Sequence, residues 1–230
     1  MDPVQFPHRF SKREDIEIAA FLASAIAWGR RDLIIKSAER MFSLLGLSPH
    51  AFIMDGDYKK LKENCVHRTF FEKDLKYFCK GFKACYKKYG NLENLFASAL
   101  NAPGGSGDIW EGIVLFREEM AKGNGGVYTK HIANSEANSA CKRINLSLRW
   151  LVRREGPIDL GIWKGISPSL LIIPLDVHVG RVSRSLGLLA SGRQANDKKT
   201  AIALTEKLRG FCLEDPIKYD LALFGMGAAL

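Results

Sequence analysis

The sequence predicts an all-α protein, and three observations support this prediction. Apolar residues recur at intervals of three and four along most of the chain, glycine-rich and asparagine-rich stretches separate these segments, and no sustained run alternates with a period of two. With 47% hydrophobic residues among 230, the chain can bury one sizeable core or two small lobes. We therefore expect packed helices rather than a sheet.

Five helices are predicted in the first half of the chain. Two of them cover about residues 16–27 and 34–45, on either side of the motif WGRRD, and three more cover about 70–89, 92–100 and 108–121. The intervening segments KKYGN, NAPGGSGD and KGNGG contain the glycine, proline and asparagine residues that favour turns. These segments mark the helix boundaries.

A further helix is predicted around the motif KRINLSLRWLVR, and others follow at about 177–187, 197–211 and 216–225. The helix around KRINLSLRWLVR has two apolar sides. One side consists of Ile144, Leu148, Leu151 and Val152, and the other consists of Leu146 and Trp150. A helix that is apolar on two sides is packed from two directions. We therefore expect it at the junction of two lobes.

The charge of the chain favours a polyanionic partner. The sequence contains 34 Lys and Arg residues against 25 Asp and Glu residues, which gives a formal net charge of +9. Basic side chains that lie off the apolar helix faces are available to bind phosphates. Nucleic acid is thus the expected partner, and the alternative is a basic surface that is merely solvated.

The cysteine content and the N-terminal segment restrict the cellular context. Five cysteines without a C-x-x-C pair indicate neither a disulfide framework nor a zinc site, so we expect reduced thiols, no metal and no cofactor. The segment MDPVQFPHRF lacks the apolar core of a signal peptide, and no apolar run reaches the roughly 20 residues that span a bilayer. These observations predict a cytoplasmic protein with no membrane partner.

Asp176 is the first candidate site residue. It lies directly before a segment in which Val179, Val182 and Leu186 fall on one helical face. An aspartate in this position is a good N-cap, because its side chain can accept a backbone hydrogen bond. The positive end of the helix also favours an ionised carboxylate, which could act in catalysis. The residues alone leave both roles open.

Lys142 is the second candidate. It lies one and two turns before Leu146 and Trp150, near the start of the predicted helix, where the mouth of a cleft would partly desolvate its amine. Desolvation disfavours the charged form of a lysine and makes the amine a better nucleophile. A solvated lysine whose stem extends along apolar surface is the alternative.

Several segments resemble known proteins. The segment PLDVHVGRVSRSLGLL resembles the signature VDTHV-x-RV-x-x-RLGL of the helix-hairpin-helix DNA glycosylase superfamily, which includes endonuclease III. The acid of this signature is catalytic in that superfamily. The matching acid in this sequence is Asp176. FLASAIAWGRRDLIIKSAERMF and YDLALFGMG are similar to an early helix pair and a late helix of that superfamily. The chain is also similar to a bacterial family of uncharacterised proteins with KRINLSLRWLVR, DLGIWKGI and PLDVHVGR.

Three departures from the superfamily pattern affect the site. The glycine-rich hairpin that carries the catalytic lysine is replaced by GPIDLGIWKGISPSLL, which could form a degenerate turn between short helices. The archaeal GO glycosylases also lack this hairpin and carry the catalytic lysine on an earlier helix. Lys142 matches this arrangement better than Lys164 does, because it lies 34 positions before Asp176 (176 minus 142). Ile26 replaces a glutamine that fills the space of the extruded base, so Trp28 becomes a candidate for base recognition. No cysteine cluster follows LFGMG, which excludes an iron–sulfur cluster.

The resemblance implies a two-lobed helical fold with a cleft between the lobes. The whole chain, 1–230, would be one compact unit with lobes 30–165 and 1–29 plus 166–230. Such a protein would be a DNA glycosylase, with AP-lyase activity if its lysine is the nucleophile, that flips a damaged base such as 8-oxoguanine out of duplex DNA. Ile26 and Trp28 would line the base pocket.

In this interpretation Lys142 attacks the sugar and Asp176 stabilises the transition state. Five basic side chains are expected to contact DNA: Arg143, Arg149, Lys164, Arg181 and Arg184. The alternative is a non-catalytic DNA- or RNA-binding module on the same scaffold, which the missing hairpin favours. Either protein would act as a monomer in the cytoplasm, at the nucleoid.

Overall fold

The computed structural model of the protein describes residues 2–192 and 194–229, and helices predominate within them. The α-helices are Arg13–Ala25 (α1), Arg31–Leu45 (α2), Pro49–Asp55 (α3), Glu72–Tyr89 (α4), Leu92–Leu100 (α5), Ile109–Lys122 (α6), Lys142–Val152 (α7), Val177–Ser185 (α8), Lys198–Arg209 (α9) and Asp220–Ala229 (α10). Short 3-10 helices cover Pro3–Gln5, Pro7–Arg9, Asp57–Lys60 and Pro168–Leu170. The predicted all-α class is confirmed.

Two short elements lie outside the predicted helices. The helix α3 has 7 residues, which is too few to establish an apolar period, and it begins after the N-cap Ser48. The strands Cys65–His67 (β1) and Phe70–Phe71 (β2) pair antiparallel, with Cys65 opposite Phe71. Arg68, in the connecting turn, has a φ of 52° although it is not glycine. The turn therefore lacks the Asn-Gly or Asp-Gly signal that predicts a hairpin.

The chain divides into two compact units. The first unit consists of Met1–Gly107 and Glu111–Ile132, and the second consists of Asp108–Trp110 and Ala133–Leu230. This division differs from the predicted lobes. The helix α1 packs against α3 and against the 3-10 helices that precede it, which keeps the N-terminal residues in the first unit.

The core of the first unit is built around α1. Every α1 residue from Asp15 to Ala25 is buried, and Phe21 stacks on Phe116 of α6 with 4.7 Å between the ring centroids. The buried carboxylate of Glu17 accepts a hydrogen bond of 2.8 Å from the hydroxyl of Tyr86 in α4. This bond satisfies a buried polar group and joins α1 to α4.

The helix α7 of the second unit is buried over most of its length. Its buried apolar residues are Ile144, Leu148, Trp150, Leu151 and Val152. The chain after α7 runs back along the end of this helix: the backbone N–H of Leu160 donates to the carbonyl of Trp150 at 2.7 Å, and that of Trp163 donates to the carbonyl of Leu151 at 2.8 Å. The stretch in which the sequence suggests a turn between short helices is therefore an irregular segment bonded to α7, followed by the 3-10 helix Pro168–Leu170.

None of the described helices combines the length and the apolar character that a membrane crossing requires. The helix α4, with 18 residues, contains several lysines along its length. None of these lysines is buried, while the apolar residues Leu75, Phe78 and Phe82 are, as is typical of a helix that covers a protein core.

Candidate functional site

Lys142 and Asp176 form an ion pair in the second unit. The Nζ atom of Lys142 donates to Oδ2 of Asp176 at 2.8 Å. Lys142 is the first residue of α7 and Asp176 is the N-cap of α8, so each side chain projects from a helix start. The Lys142 side chain is 34% exposed and that of Asp176 is 11% exposed, so the amine is accessible while the carboxylate is largely covered.

The two oxygens of Asp176 have different partners. Oδ1 accepts the backbone N–H of Val179 at 2.9 Å, which is the capping bond that the sequence predicts. Oδ2 accepts from Lys142. Capping and pairing with the lysine are thus compatible roles for one carboxylate. The cap fixes the orientation of the carboxylate and directs its second oxygen at the amine.

The position of α8 depends on α10. The Nδ1 atom of His178 donates to the carbonyl of Gly227 at 3.0 Å, and the guanidinium of Arg181 donates to the same carbonyl. A Cβ atom on Gly227 would lie 2.8 Å from the carbonyl oxygen of His178, which is closer than real side chains approach. Only glycine allows this contact, and the contact holds the helix that begins at Asp176.

The residue before Lys142 has an unusual backbone conformation. Cys141 adopts a φ of 47° and a ψ of 38°, in the left-handed region that favours glycine. A side chain in this region costs on the order of 1 kcal/mol. The backbone is therefore strained directly before the candidate nucleophile, and strain of this kind concentrates at functional sites.

A buried ionic network extends from α7. Arg149 donates from Nη1 to Oδ2 of Asp220 at 2.5 Å, and its Nη2 lies 3.4 Å from Oδ1 of Asp159. Arg153 contacts Asp159 through Nη1 and donates from Nε to Asp215 at 2.8 Å. The side chains of Arg149 and Arg153 are at most 5% exposed. Such charges are stable inside a protein only when they are paired.

Burial raises the pKa of Asp220 to about 6, and the neighbouring Arg149 opposes this increase without cancelling it. The negative charge of Asp176 raises the pKa of Asp220 further, while the positive charge of Lys142 lowers it. The sequence analysis missed Asp220, because nothing in the motif YDLALFGMG indicates that its acid is buried.

Arg149 is not available to contact DNA, although the sequence predicts that it does. Its guanidinium is buried between two carboxylates, so reaching a phosphate would leave Asp220 and Asp159 unpaired in the core. The sequence places Arg149 on a helix but does not show which carboxylates surround it. Its expected role as a phosphate ligand is corrected to a structural one.

The other basic residues predicted to bind DNA differ in accessibility. Lys164 and Arg181 are exposed, and Arg181 also bonds to Gly227. Arg184 is half-buried and donates to the carbonyl of Ala195 at 3.0 Å and to Oδ1 of Asn196 at 2.9 Å. Burial lowers the pKa of the Arg143 guanidinium. Lys164 and Arg181 are thus the most accessible cations among the predicted residues of the second unit.

Ile26 and Trp28, the predicted base-pocket residues, lie in the first unit. The Ile26 side chain is fully buried, while Trp28 is half-buried and its indole N–H has no described partner. The exposed guanidinium of Arg68 lies 4.7 Å from the centroid of the Trp28 ring, and His67 Nε2 donates to the carbonyl of Trp28 at 2.9 Å. Arg68, which the sequence analysis also missed, forms a cation–π contact with Trp28.

Two buried cysteines of the first unit are unsuited to act as nucleophiles. Burial raises the pKa of the Cys79 and Cys85 thiols to about 12, so both stay protonated near neutral pH. Among the described residues, no group of three or more His, Cys, Asp or Glu side chains is arranged to hold a metal ion. The Lys142 amine is less exposed than the paired lysines Lys60, Lys88 and Lys122, and it differs from them in that its partner carboxylate is the N-cap of a helix.

The comparison with known proteins identifies a family but not an activity. No curated protein and no solved structure is significantly similar to the chain. A family model described as a protein of unknown function, DUF2400, matches residues 2–229. The match covers nearly the whole chain, and the protein therefore belongs to the DUF2400 family.

Proposed function

We propose that this protein is a DNA glycosylase with AP-lyase activity that removes a damaged base from duplex DNA. The observation that carries the proposal is the 2.8 Å contact between Lys142 Nζ and Asp176 Oδ2. These two residues are the ones that the resemblance to the glycosylase superfamily selects, although 34 positions separate them in the chain. The protein would act as a monomer on the DNA of the nucleoid.

The chemistry assigns one role to each side chain. Asp176 accepts a proton from the Lys142 ammonium, and the neutral amine attacks C1′ of the damaged nucleotide. The new C–N bond forms as the glycosidic bond breaks, and the base leaves with the bonding electrons and then takes up a proton. The nitrogen attached to C1′ then loses one proton, the C1′–O4′ bond breaks and O4′ takes up a proton. The product is an iminium ion between C1′ and the lysine nitrogen, which is a protonated Schiff base.

Fold stability does not account for the pair. An ion pair with a lysine about one-third exposed contributes roughly 0–1 kcal/mol, because water screens the charges. The capping bond to Val179 needs only one oxygen of Asp176. In the proposed function, the second oxygen and the amine form the reactive site.

The second candidate function is a DNA- or RNA-binding module without catalysis. The observation that favours it is the irregular segment after α7, which occupies the place of the glycine-rich hairpin that grips a phosphate in the superfamily. Lys142 and Asp176 would then form a simple structural ion pair. The net charge of +9 agrees with either function.

Trapping with borohydride distinguishes the two candidates. Borohydride reduces a Schiff base to a stable amine, so the wild type should form a covalent adduct with duplex DNA that carries 8-oxoguanine, another lesion or an abasic site. Lys142→Ala should abolish the adduct. Lys164→Ala is the matched control, since Lys164 is an exposed lysine of the same unit, and it should leave the adduct intact.

A panel of damaged bases is needed, because the sequence does not define the preferred lesion. If no adduct and no base release occur with any substrate while DNA binding persists, the protein is a binding module. An adduct that survives in Lys142→Ala and disappears in Lys164→Ala would transfer the role of the nucleophile to Lys164.

A further inference from the structure

The helix α4 of the first unit contains six lysines among its 18 residues. Five of them follow one another at alternating intervals of three and four, which places them along one side of the helix: Lys73, Lys76, Lys80, Lys83 and Lys87. None of the five is buried, whereas Leu75, Phe78 and Phe82 on the opposite side are buried in the core. The core therefore fixes which side of α4 faces outwards. We call these five lysines the α4 lysine face.

No carboxylate pairs with the α4 lysine face in the part of the chain that the structure describes. The lysines that form ion pairs there lie outside the face: Lys60, Lys88, Lys122 and Lys142. The two acids of α4 bond to other groups, since Glu72 accepts a hydrogen bond from Nδ2 of Asn64 at 2.9 Å and Asp74 accepts one from a backbone N–H at 2.8 Å. Lysines three and four residues apart repel each other and destabilise a helix. The charge of this face therefore opposes the stability of α4.

The most accessible amines of the face form a row. Lys76 donates to the carbonyl of Lys59 at 3.4 Å, and Lys83 donates to the carbonyl of Met54 at 2.5 Å. The other three are exposed and follow one another at intervals of seven residues: Lys73, Lys80 and Lys87. Seven residues of an α-helix rise about 10.5 Å and turn the side chain by only about 20° from the starting direction. The three amines therefore project in a nearly straight row roughly 21 Å long.

We propose that the α4 lysine face is a further nucleic-acid-binding surface, which binds the phosphate backbone of duplex DNA without regard to base sequence. B-DNA carries about one negative charge for every 1.7 Å of its axis, so several phosphates lie along a row of this length. Lysine is a flexible point charge that binds a phosphate without a fixed geometry, and phosphate contacts carry no sequence information directly. The choice of duplex DNA rests on the proposed function, but the chemistry of Lys142 does not enter.

This surface is distinct from the basic residues that the sequence analysis selects. Those residues all belong to the second unit, whereas α4 belongs to the first. The sequence analysis missed the α4 lysine face, although the intervals of three and four are visible in the motif KDLKYFCKGFKACYKKYG. The reason is that the resemblance to the glycosylase superfamily directs attention to the second half of the chain.

The exposed residues of α4 favour nucleic acid over a membrane surface. A helix that lies in the plane of a bilayer inserts large apolar side chains beside its basic residues. None of the exposed large apolar side chains in the described part of the chain belongs to α4. The face therefore offers positive charge without an apolar anchor, which fits a phosphate backbone.

Binding to undamaged duplex DNA over a salt series tests this surface. The triple variant Lys73→Gln, Lys80→Gln and Lys87→Gln removes three charges, and glutamine has nearly the helix propensity of lysine. Fluorescence anisotropy of the full-length proteins with a short labelled duplex gives log affinity against log salt concentration. The slope should fall by about 2.7 in the triple variant, which is about 0.9 for each lost phosphate contact.

A matched triple variant removes the same charge from other segments. Lys36 of α2, Lys130 and Lys207 of α9 are exposed, and their replacement by glutamine should reduce the slope by no more than about 0.9. This control separates a local surface from the net charge of the chain. At low salt the α4 variant should melt at or above the Tm of the wild type, because the repulsion between its lysines is removed.

Four outcomes would overturn the proposal. They are a wild type that shows no salt-dependent binding to duplex DNA, an α4 variant with the wild-type slope, equal slope reductions in the two triple variants, and an α4 variant that melts well below the wild type. If the α4 variant loses binding to phosphatidylserine vesicles but keeps the wild-type DNA slope, the face is a membrane-binding surface instead.

The same measurements separate this surface from the proposed function. A reduced slope in the α4 variant, without a borohydride-trapped adduct of the wild type, supports the surface and refutes the glycosylase function. An adduct of the wild type together with an unchanged slope in the α4 variant supports the function and refutes the surface.

Discussion

Lys142 and Arg149 project from the same side of α7 and hold carboxylates that begin two different helices, Asp176 before α8 and Asp220 in α10. One pair is partly accessible to solvent and the other is buried. We propose that the accessible pair is a nucleophile and its base, whereas the buried pair belongs to the core of the second unit. The predictions below test these two roles separately.

Asp176→Asn should slow base release without weakening DNA binding. Asparagine is nearly as good an N-cap as aspartate, so α8 should keep its start, but the amide cannot accept the proton of Lys142. We expect a rate loss on the order of 10²- to 10⁴-fold in single-turnover experiments. Asp197→Asn is the control, because Asp197 caps α9 with a similar bond of 3.0 Å to the Thr200 backbone N–H. Equal rate losses in both variants would contradict a catalytic Asp176.

Affinity for duplex DNA should fall linearly when log affinity is plotted against log salt concentration, because each phosphate contact releases counterions. Lys164→Ala should reduce the slope by about 0.9, and Arg181→Ala should reduce it less, because the guanidinium of Arg181 already bonds to the carbonyl of Gly227. Arg184→Ala should change it less, since the guanidinium of Arg184 already bonds to Ala195 and Asn196. Fluorescence anisotropy over a salt series gives these slopes. Affinity that does not depend on salt would exclude a phosphate-binding surface.

Gly227→Ala should destabilise the protein and disturb the site. The new methyl group would meet the backbone of His178 at 2.8 Å, so α8 and α10 must separate. Overpacking of this kind costs about 1–3 kcal/mol and should lower Tm by several degrees.

Gly225→Ala is the matched control for this change. It adds the same methyl group to the same helix at a position with nothing within 4 Å. The greater helix propensity of alanine should make this variant neutral or more stable by up to about 1 kcal/mol. Equal thermal stability of the two variants would show that the close approach of Gly227 to His178 does not contribute to the stability of the fold.

Asp220 should make the free energy of unfolding depend on pH. Its pKa rises from 3.8 to about 6 on folding, so the folded state binds this proton more tightly. The associated stability is complete below about pH 4 and is lost as the pH rises through about 6. Asp220→Asn has no carboxyl group at this position and does not lose this stability. The free energy of unfolding of the variant, minus that of the wild type, should therefore increase by on the order of 3 kcal/mol between about pH 4 and pH 7. Urea denaturation of both proteins at several pH values measures their free energies of unfolding.

Glu119 provides a comparison of opposite sign. Burial opposes its ionisation, but hydrogen bonds from Lys122 and Lys88 outweigh burial and lower the pKa of Glu119. The stability that it contributes is present above the pKa of the unfolded chain and is lost as the pH falls through the lower folded value. Glu119→Gln should therefore approach the wild-type stability in acid. The same pH trend in the Asp220 and Glu119 variants would refute the assignment of these shifts.

Local patterns determined most of the helices and the two central side chains of the candidate site. The spacing of apolar residues predicts nine of the ten α-helices in the part of the chain that the structure describes, because each helix must bury one side and that requirement acts at every third or fourth residue. Asp176 could be recognised as an N-cap because capping involves atoms only three residues apart. Lys142 could be placed near a helix start because it precedes the periodic apolar residues Leu146 and Trp150.

The tertiary structure alone decided which charges are buried and which partners they have. Arg149 and Asp220 are 71 positions apart, so neither the burial of the arginine nor the raised pKa of the acid can be read from its neighbours in sequence. The turn at Arg68 also lacks a local signal, because its positive φ is imposed on a residue that rarely adopts it. The spacing of apolar residues indicates which side of a helix is buried. The pairing of charged side chains depends instead on their distances in the folded protein. A helical position that appears available for DNA can therefore be committed to the core.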